Sequence, residues 1–211
     1  MILWLILAAS LALADWWAVD NDHPRVETVA KPLVMVALIG VALTIEAEPA
    51  SARLWFAAAL LAGLIGDVLL LPAVDRFLGG LAAFLVGHGL YLAGLAPLVD
   101  DRNSLLVGLA VGMVLLTVLG RPIINSVRST PFAAPVTLYI AVVGGVVTLA
   151  VATDRWLIGL GAVAFALSDT LLGSDRFVTP RPARRVWVHR LYHLGQAGLI
   201  LGLDPDILAS A

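Results

Sequence analysis

The chain contains no cysteine and few charged residues, which make up 13% of its 211 residues. Without cysteine it can form neither a disulfide framework nor a thiolate nucleophile. Soluble domains are about 25% charged and about 45–50% apolar, whereas 61% of this chain is apolar and its mean hydropathy is +0.98. A soluble fold would expose much of this apolar surface to water, so the composition predicts a protein embedded in a membrane.

Apolar stretches cover most of the chain. Crossing a hydrocarbon core of about 30 Å takes roughly 20 helical residues. The sequence therefore predicts an all-α fold, a polytopic transmembrane bundle of about eight helices, in a single domain over residues 1–211. The predicted spans are 1–19, 29–45, 54–71, 77–98, 104–120, 132–151, 156–173 and 186–203. The first span lacks the basic start of a signal peptide and ends in Asp15, Trp16 and Trp17, which we interpret as an interfacial anchor.

The positive charges are unevenly divided between the predicted loops. One side has only Arg53, Arg102 and Arg155. The loops after odd-numbered spans, with their flanks, contain the other ten Lys and Arg residues: Arg25, Lys31, Arg76, Arg121, Arg128, Arg176, Arg181, Arg184, Arg185 and Arg190. The positive-inside rule places this richer side in the cytoplasm and both termini outside. We expect a multi-pass protein of the plasma membrane.

Two parts of the chain repeat one pattern. An Asp-x-Leu-Leu segment, an Arg-Phe pair and a His follow one another from Asp67 to His88 and again from Asp169 to His193. The pattern suggests two parallel repeats of four helices, residues 1–103 and 104–211. The repeat pairs Asp67 with Asp169.

Several polar side chains fall inside the predicted spans. Each ionisable residue at the centre of a membrane helix costs about 2.5–3.5 kcal/mol, so it needs a compensating interaction. Asp67 and Asp169 lie near the predicted cytoplasmic ends of their spans, His88 lies at mid-depth, and Lys31 opens the second span. In the eighth span, spacing of i, i+3, i+4 and i+7 places four side chains on one face: His189, Tyr192, His193 and Gln196. This convergence predicts one site toward the cytoplasmic leaflet.

Each of these residues also has a structural interpretation. An Asp near a helix end can reach interfacial water or pair with a neighbouring arginine, and a buried His88 can serve packing alone. We interpret His189, which adjoins Arg190, as a solvated or headgroup-facing residue. The Arg181–Arg185 segment is mainly a topology signal, and contact with a phosphate is its secondary interpretation.

Two carboxyl groups in a shared dry site can act as a general acid and a general base. Ionisation of one makes ionisation of the other less favourable, so one stays protonated while the other is a carboxylate. Tyr91, His88, Tyr192 and Gln196 are candidates to orient a water molecule or leaving group. A zinc site is the alternative, since His189 and His193 have ligand spacing and His88 with an Asp could complete the set. The chain has no HExxH motif, no nucleophile elbow and no Walker loop, and we predict neither a metal nor a cofactor.

The order of these motifs resembles the YhhN-like family over nearly the whole chain. The matching segments are Lys31-Pro32-Leu33, Gly66-Asp67, Phe84 with Gly87-His88 and Tyr91, Ser168-Asp169-x-Leu171, and Tyr192 with Gln196. The resemblance implies a membrane lysoplasmalogenase of lipid metabolism. Such a hydrolase cleaves the vinyl ether bond of a lysoplasmalogen to a fatty aldehyde and a glycerophospho-headgroup.

The resemblance and the spacing together define the predicted site. The catalytic candidates are Asp67, Asp169, His88, Tyr91, Tyr192 and Gln196, and the substrate-binding candidates are Lys31, Ser168, His193, Arg184 and Arg185. Position 193 departs from the family pattern, which has a second Tyr there, and this weakens a zinc role for His193. We favour Asp169 as the acid that protonates the vinyl ether carbon.

A small transporter or lipid-translocating protein, with the same Asp and His residues as a proton relay, is the competing hypothesis. A non-catalytic scaffold leaves the paired Asp residues unexplained. The expected partners are a lysophospholipid substrate and membrane lipid, with no nucleic acid, and the oligomeric state does not follow from the sequence.

Overall fold

The computed structural model describes residues 1–71, 73–205 and 207. These residues form eight helices and no strand, which confirms the predicted all-α bundle. The helices are α1 Ile2–Asp20, α2 Pro24–Thr44, α3 Ala50–Leu70, α4 Phe77–Leu95, α5 Arg102–Val127, α6 Ala133–Ala152, α7 Trp156–Phe177 and α8 Arg185–Leu201. The predicted division into two repeats stays a prediction.

Helices α2 and α3 begin four or five residues before the predicted start, because each has a first turn that contains polar residues. Helix α2 starts at Pro24 rather than at residue 29, with Pro24 in its first turn and Glu27 close behind. Proline is compatible with the first turn, and an acidic side chain there interacts favourably with the helix dipole. Lys31 therefore lies within the helix and does not open it. Helix α3 likewise starts at Ala50, before the predicted residue 54.

Helix α5 continues past its predicted end at residue 120. It contains a π-helical turn over Leu116–Gly120 and then runs on to Val127. Pro122 lies two residues after the end of that turn and has no N–H for the regular helix ladder. A π-helical turn absorbs such a local mismatch, so the helix continues where the sequence alone suggests a break.

Seven of the eight helices in the described part of the chain are long and apolar enough to cross a membrane. The exception is α8, which has 17 residues and is about 25 Å long at the usual rise per residue. Its sequence also has the i, i+3, i+4, i+7 polar face described above. Helix α8 is thus a short helix with a polar face, and most of that face is buried.

The helices pack as a ring of neighbours. Contacts run from α1 through α2, α3 and α4, pass to α6 and α7, and return through α8 to α1, while α5 packs against α6 and α7. Helix α8 also contacts α2 and α3. It therefore brings its polar face against helices from both ends of the chain.

The exposed surface is apolar and the interior contains the polar groups. Leu3, Val118 and Leu160 are more than 60% exposed, whereas Asp67 and Gln196 are each 1% exposed. This is the inverse of a soluble protein, whose charged groups face water. The arrangement agrees with a multi-pass membrane protein that keeps its polar chemistry inside the bundle.

Close contact between α7 and α8 depends on glycine, and this gives a first prediction. A Cβ atom at Gly195 would lie 2.7 Å from the backbone nitrogen of Phe165. We expect Gly195→Ala to lower the free energy of unfolding by about 1–3 kcal/mol through overpacking. The control is Gly89→Ala in α4, where a Cβ meets nothing within 4 Å. Thermal unfolding in detergent measures both, and equal stability of the two variants would contradict the packing argument.

Candidate active site

A cavity of about 420 Å³ lies among α2, α3, α4, α7 and α8, next to the segment that leads into α8. We call it the polar cavity. It is lined by two groups of polar side chains: Lys31, Asp67, Ser168, Asp169 and Tyr192 in one, and Glu27, Asp175, Arg181, Arg185 and His189 in the other. The sequence-predicted residues Lys31, Asp67, Ser168, Asp169, Tyr192 and Arg185 thus share one space.

Asp67 is more buried than Asp169, the other carboxylate of the predicted pair. Its Oδ1 lies 2.9 Å from Nζ of Lys31, and its Oδ2 accepts a 2.8 Å hydrogen bond from the Tyr192 hydroxyl. An ionised carboxylate in a dry environment requires a paired charge and hydrogen bonds. Lys31 provides the charge and Tyr192 the hydrogen bond, and both favour the ionised form of Asp67.

Asp169 has a different set of partners. The Tyr139 hydroxyl donates to Oδ2 at 2.7 Å, and Nε2 of His88 lies 3.5 Å from the same oxygen. Among the described residues, no Lys or Arg forms an ion pair with Asp169. The two predicted carboxylates therefore have unequal surroundings, as an acid and base pair requires.

His88 restricts where a proton can lie next to Asp169. Its Nδ1 is 2.8 Å from the carbonyl oxygen of Phe84, which can only accept, so Nδ1 carries the hydrogen. The ring stacks on Phe165 at 4.6 Å between centroids and is 2% exposed. In the neutral ring Nε2 is then an acceptor directed toward Asp169. A neutral Asp169 carboxyl suits this neighbour, because its proton then faces an acceptor.

Tyr91, Gln196 and Ser168 fill the surroundings of the two carboxylates. The Tyr91 hydroxyl donates a hydrogen bond to Oε1 of Gln196, and the Ser168 hydroxyl donates to the Val188 carbonyl at 2.8 Å. Tyr91 and Gln196 do not line the polar cavity, whereas Ser168 does. Tyr91 and Gln196 thus link α4 to α8 behind the site.

A second space, of about 80 Å³, adjoins the polar cavity and is lined almost entirely by apolar side chains of α3 to α7. We call it the apolar groove. Four residues line both spaces: Leu70, Phe84, Asp169 and Leu172. Asp169 is the one carboxylate at this junction among the residues described. The arrangement can take a molecule with a polar head and an apolar chain, with Asp169 at the boundary between them.

His189 is buried, contrary to the expectation that it faces solvent or headgroups. It is 5% exposed, and its Nδ1 lies 2.7 Å from Oδ2 of Asp15. Asp15 is 0% exposed, so it is not the interfacial residue that the sequence suggests. The correction has a physical cause: α8 contacts α1, which shields both side chains from lipid and water. Glu27, on α2, completes this group through two 2.6 Å contacts with Arg185.

His193 and Arg184 lie outside the polar cavity. Nδ1 of His193 accepts a 3.1 Å hydrogen bond from the Trp16 indole, and Arg184 contacts Ser174 and Asp175. His88 adjoins Asp169 while His189 and His193 adjoin Asp15. Within the described residues no group of three or more His, Asp or Glu side chains is arranged to hold a metal ion.

Sequence reasoning missed three polar residues of this region: Asp15, Glu27 and Tyr139. Tyr139 lies in a helix with few polar side chains and had no partner at helical spacing. Asp15 and Glu27 lie near predicted span ends, where water is the simplest partner. The sequence feature that could have identified these three residues is their position inside or beside apolar spans, on the side predicted to be cytoplasmic.

Comparisons with known proteins agree on one family. A sequence model of the YhhN family matches residues 26–203. The chain is 31% identical over 200 residues to the lysoplasmalogenase TMEM86B of Sus scrofa, covering 90% of this chain and 80% of that protein. Lysoplasmalogenases of Mycobacterium bovis and Mycobacterium tuberculosis are each 31% identical over 196 residues, covering 86% of this chain and 72% of theirs. No solved structure matches.

Proposed function

The chain belongs to the YhhN family, and from this premise we propose that it is a membrane lysoplasmalogenase. It hydrolyses the vinyl ether bond of a lysoplasmalogen, or of a related ether lipid, to a fatty aldehyde and a glycerophospho-headgroup. The observation that carries the proposal is the position of Asp169, where the polar cavity meets the apolar groove.

The two spaces correspond to the two parts of such a lipid. The alkenyl chain fits the apolar groove, because burial of its methylene groups is favourable by about 0.8 kcal/mol each. The glycerophospho-headgroup fits the polar cavity, because the cationic side chains that line this cavity complement the charge of its phosphate. The vinyl ether bond lies between these two parts and is therefore placed next to Asp169.

Asp169 is the general acid. Hydrolysis of a vinyl ether begins when a proton is added to the carbon farther from the ether oxygen, which leaves an oxocarbenium ion. A neutral carboxylic acid must provide that proton, and Asp169 has a hydrogen bond from Tyr139 and no Lys or Arg ion pair among the described residues. After the transfer its negative charge lies beside the new cation and stabilises it.

Asp67 is the general base. Lys31 and Tyr192 favour its ionised form, and Tyr192 fixes its orientation. It accepts a proton from the water molecule that adds to the oxocarbenium ion, which forms a hemiacetal. Breakdown of the hemiacetal then releases the aldehyde and the glycerol hydroxyl. Tyr91 and Gln196, bonded to each other behind the cavity, hold α4 against α8, and Ser168 holds α7 against α8.

The headgroup phosphate requires a cation that is available to it. Among the described residues, three cationic side chains line the polar cavity: Lys31, Arg181 and Arg185. Lys31 is paired with Asp67 and Arg185 with Glu27. Arg181 is exposed at the same cavity, has no carboxylate partner among the described ion pairs, and can form a bidentate contact with phosphate.

Replacement of Arg181 tests the headgroup assignment. We expect Arg181→Gln to raise KM for lysoplasmalogen by about tenfold with little change in kcat, because a contact of about 1.4 kcal/mol is lost equally in the ground and transition states. Steady-state assays in detergent measure both constants. Arg128→Gln, an exposed arginine on the same predicted side, is the control. An unchanged KM in Arg181→Gln would contradict the assignment.

The location of the site follows from the charge distribution. We propose that the protein spans the plasma membrane with both termini outside, α8 crossing as a short eighth span, and the polar cavity toward the cytoplasmic leaflet. The arginine-rich segment before α8 lines that cavity, and the positive-inside rule places this segment in the cytoplasm.

Aldehyde release from a lysoplasmalogen by the purified protein tests the function. Release that is insensitive to a strong chelator is expected for the two-carboxylate mechanism, whereas chelator-sensitive turnover would require a metal. A folded protein that releases no aldehyde from any vinyl ether lipid would contradict the hydrolase and favour the transporter alternative. The identity to proteins named lysoplasmalogenases supports the hydrolase.

A further inference from the structure

His189 lies between two carboxylates at the polar side of the cavity. Its Nδ1 is 2.7 Å from Oδ2 of Asp15, and its Nε2 is 3.8 Å from Oε1 of Glu27. Asp15 is fully buried in α1, and its other carboxylate oxygen has no hydrogen-bond partner among the described residues. The mechanism above uses neither side chain.

The two ring nitrogens have unequal partners. The Asp15 contact is a short hydrogen bond, so it fixes the orientation of the ring and keeps a proton on Nδ1. The Nε2 contact is too long for a direct hydrogen bond, and Glu27 is already engaged by Arg185 at 2.6 Å. Because His189 lines the cavity, its Nε2 is available to a bound molecule.

A buried imidazole oriented by a carboxylate is the arrangement that proteins use for acid and base catalysis. Asp15 stabilises the protonated ring, and the Glu27 carboxylate opposite Nε2 acts in the same direction. Burial of the ring and the nearby cations Lys31 and Arg185 oppose the protonated form more strongly, so His189 is neutral in the resting site. With its hydrogen on Nδ1, the neutral ring has an acceptor at Nε2, which can take up a proton during turnover and pass it to a molecule in the cavity.

The position of the dyad matches one step of the reaction. Asp169 lies at the apolar end of the polar cavity, beside the alkenyl carbon that it protonates. His189 lines the polar cavity and not the apolar groove, together with Glu27 and Arg185. The glycerol oxygen of a bound lysoplasmalogen points away from the alkenyl chain and so toward this side.

We propose that His189, positioned by Asp15, is the acid that protonates the departing glycerol oxygen when the hemiacetal breaks down. This inference rests on the proposed function. The bond between the hemiacetal carbon and the glycerol oxygen breaks, and that oxygen takes the proton of Nε2. The hemiacetal hydroxyl gives its proton to the ionised Asp169, and its oxygen becomes the aldehyde carbonyl. The proton on Nε2 is the one that Asp67 took from the water molecule and transferred to His189 before this bond breaks, so Asp67, Asp169 and His189 all end in their starting forms.

The test compares two vinyl ethers that differ in the leaving group. The glycerol group of a lysoplasmalogen would leave as an alkoxide, so its departure needs an acid. The aryl group of a long-chain 1-alkenyl 4-nitrophenyl ether leaves as a stable phenolate and needs none. We expect His189→Gln and Asp15→Asn to lower kcat for the lysoplasmalogen by about 10²-fold or more. Both variants should hydrolyse the nitrophenyl ether within threefold of the wild type, a difference of about 0.6 kcal/mol in activation free energy.

The nitrophenyl ether also reports whether each variant is folded and whether Asp67 and Asp169 still act. Asp20→Asn is the matched control in the same helix, because Asp20 pairs with Arg190 at the surface, and it should retain both activities. Equal losses on the two substrates, or no loss on either, would overturn the role of the dyad. A wild-type protein that hydrolyses neither ether would overturn the proposed function and the dyad with it.

Discussion

Replacing Asp169 by Asn is expected to lower kcat for lysoplasmalogen hydrolysis by about 10³-fold, within the range that general acid catalysis contributes. An amide cannot donate a proton to carbon, and it leaves the oxocarbenium ion without a neighbouring negative charge. The Tyr139 hydroxyl can still donate to the amide oxygen, so the local packing is retained. Steady-state release of aldehyde by the purified protein measures the effect.

The control for this substitution is Asp154→Asn in the connection between α6 and α7, outside both the polar cavity and the apolar groove. Asp154 has a positive φ of 57°, a conformation that Asn also adopts readily. Wild-type turnover is expected there. Wild-type turnover in Asp169→Asn, with normal thermal stability, would remove Asp169 from the chemistry and with it the two-carboxylate mechanism.

Replacing Lys31 by Met is expected to destabilise the protein by about 3–5 kcal/mol, the range found when one partner of a buried ion pair is removed. The Asp67 carboxylate is fully buried, and Lys31 is the cation that lies 2.9 Å from it. Without that cation the carboxylate must take up a proton or remain uncompensated. Thermal unfolding in detergent measures the loss.

The double variant Lys31→Met with Asp67→Asn separates the ion pair from the packing of the lysine side chain. Removing the buried charge together with its partner should recover most of the lost stability, while hydrolysis stays absent because the base is gone. A double variant as unstable as Lys31→Met alone would show that Lys31 acts through packing and not through the charge of Asp67.

The membrane character, the helix count and the family were predictable from the sequence, and the structure and the comparisons confirm them. The sequence also predicted that Asp67, Asp169 and His88 belong to one site, because an ionisable residue in an apolar span requires a partner whatever the fold. The convergence of Lys31, Asp67, Asp169 and Tyr192 on one cavity followed the same logic. Their catalytic roles stay predictions.

The partners themselves were not predictable. Pairing of Asp67 with Lys31 and Tyr192, and of Asp169 with Tyr139, depends on which helices pack together. The sequence suggested a neighbouring arginine as the partner, Arg76 or Arg176, since both adjoin the same predicted membrane surface. Arg184 neighbours Arg185 in sequence and was predicted with it to bind substrate, but only Arg185 lines the cavity.

By itself, the sequence determined that this chain is a bundle of apolar helices with buried carboxylates, since hydrophobicity and the cost of buried charge are local properties of each segment. Only the tertiary structure decided that Asp169 stands between a polar cavity and an apolar groove, and that His189 is buried against Asp15. Both depend on α8 returning to contact α1, α2 and α3. Contacts between residues so distant in sequence follow from helix packing, which no local pattern specifies.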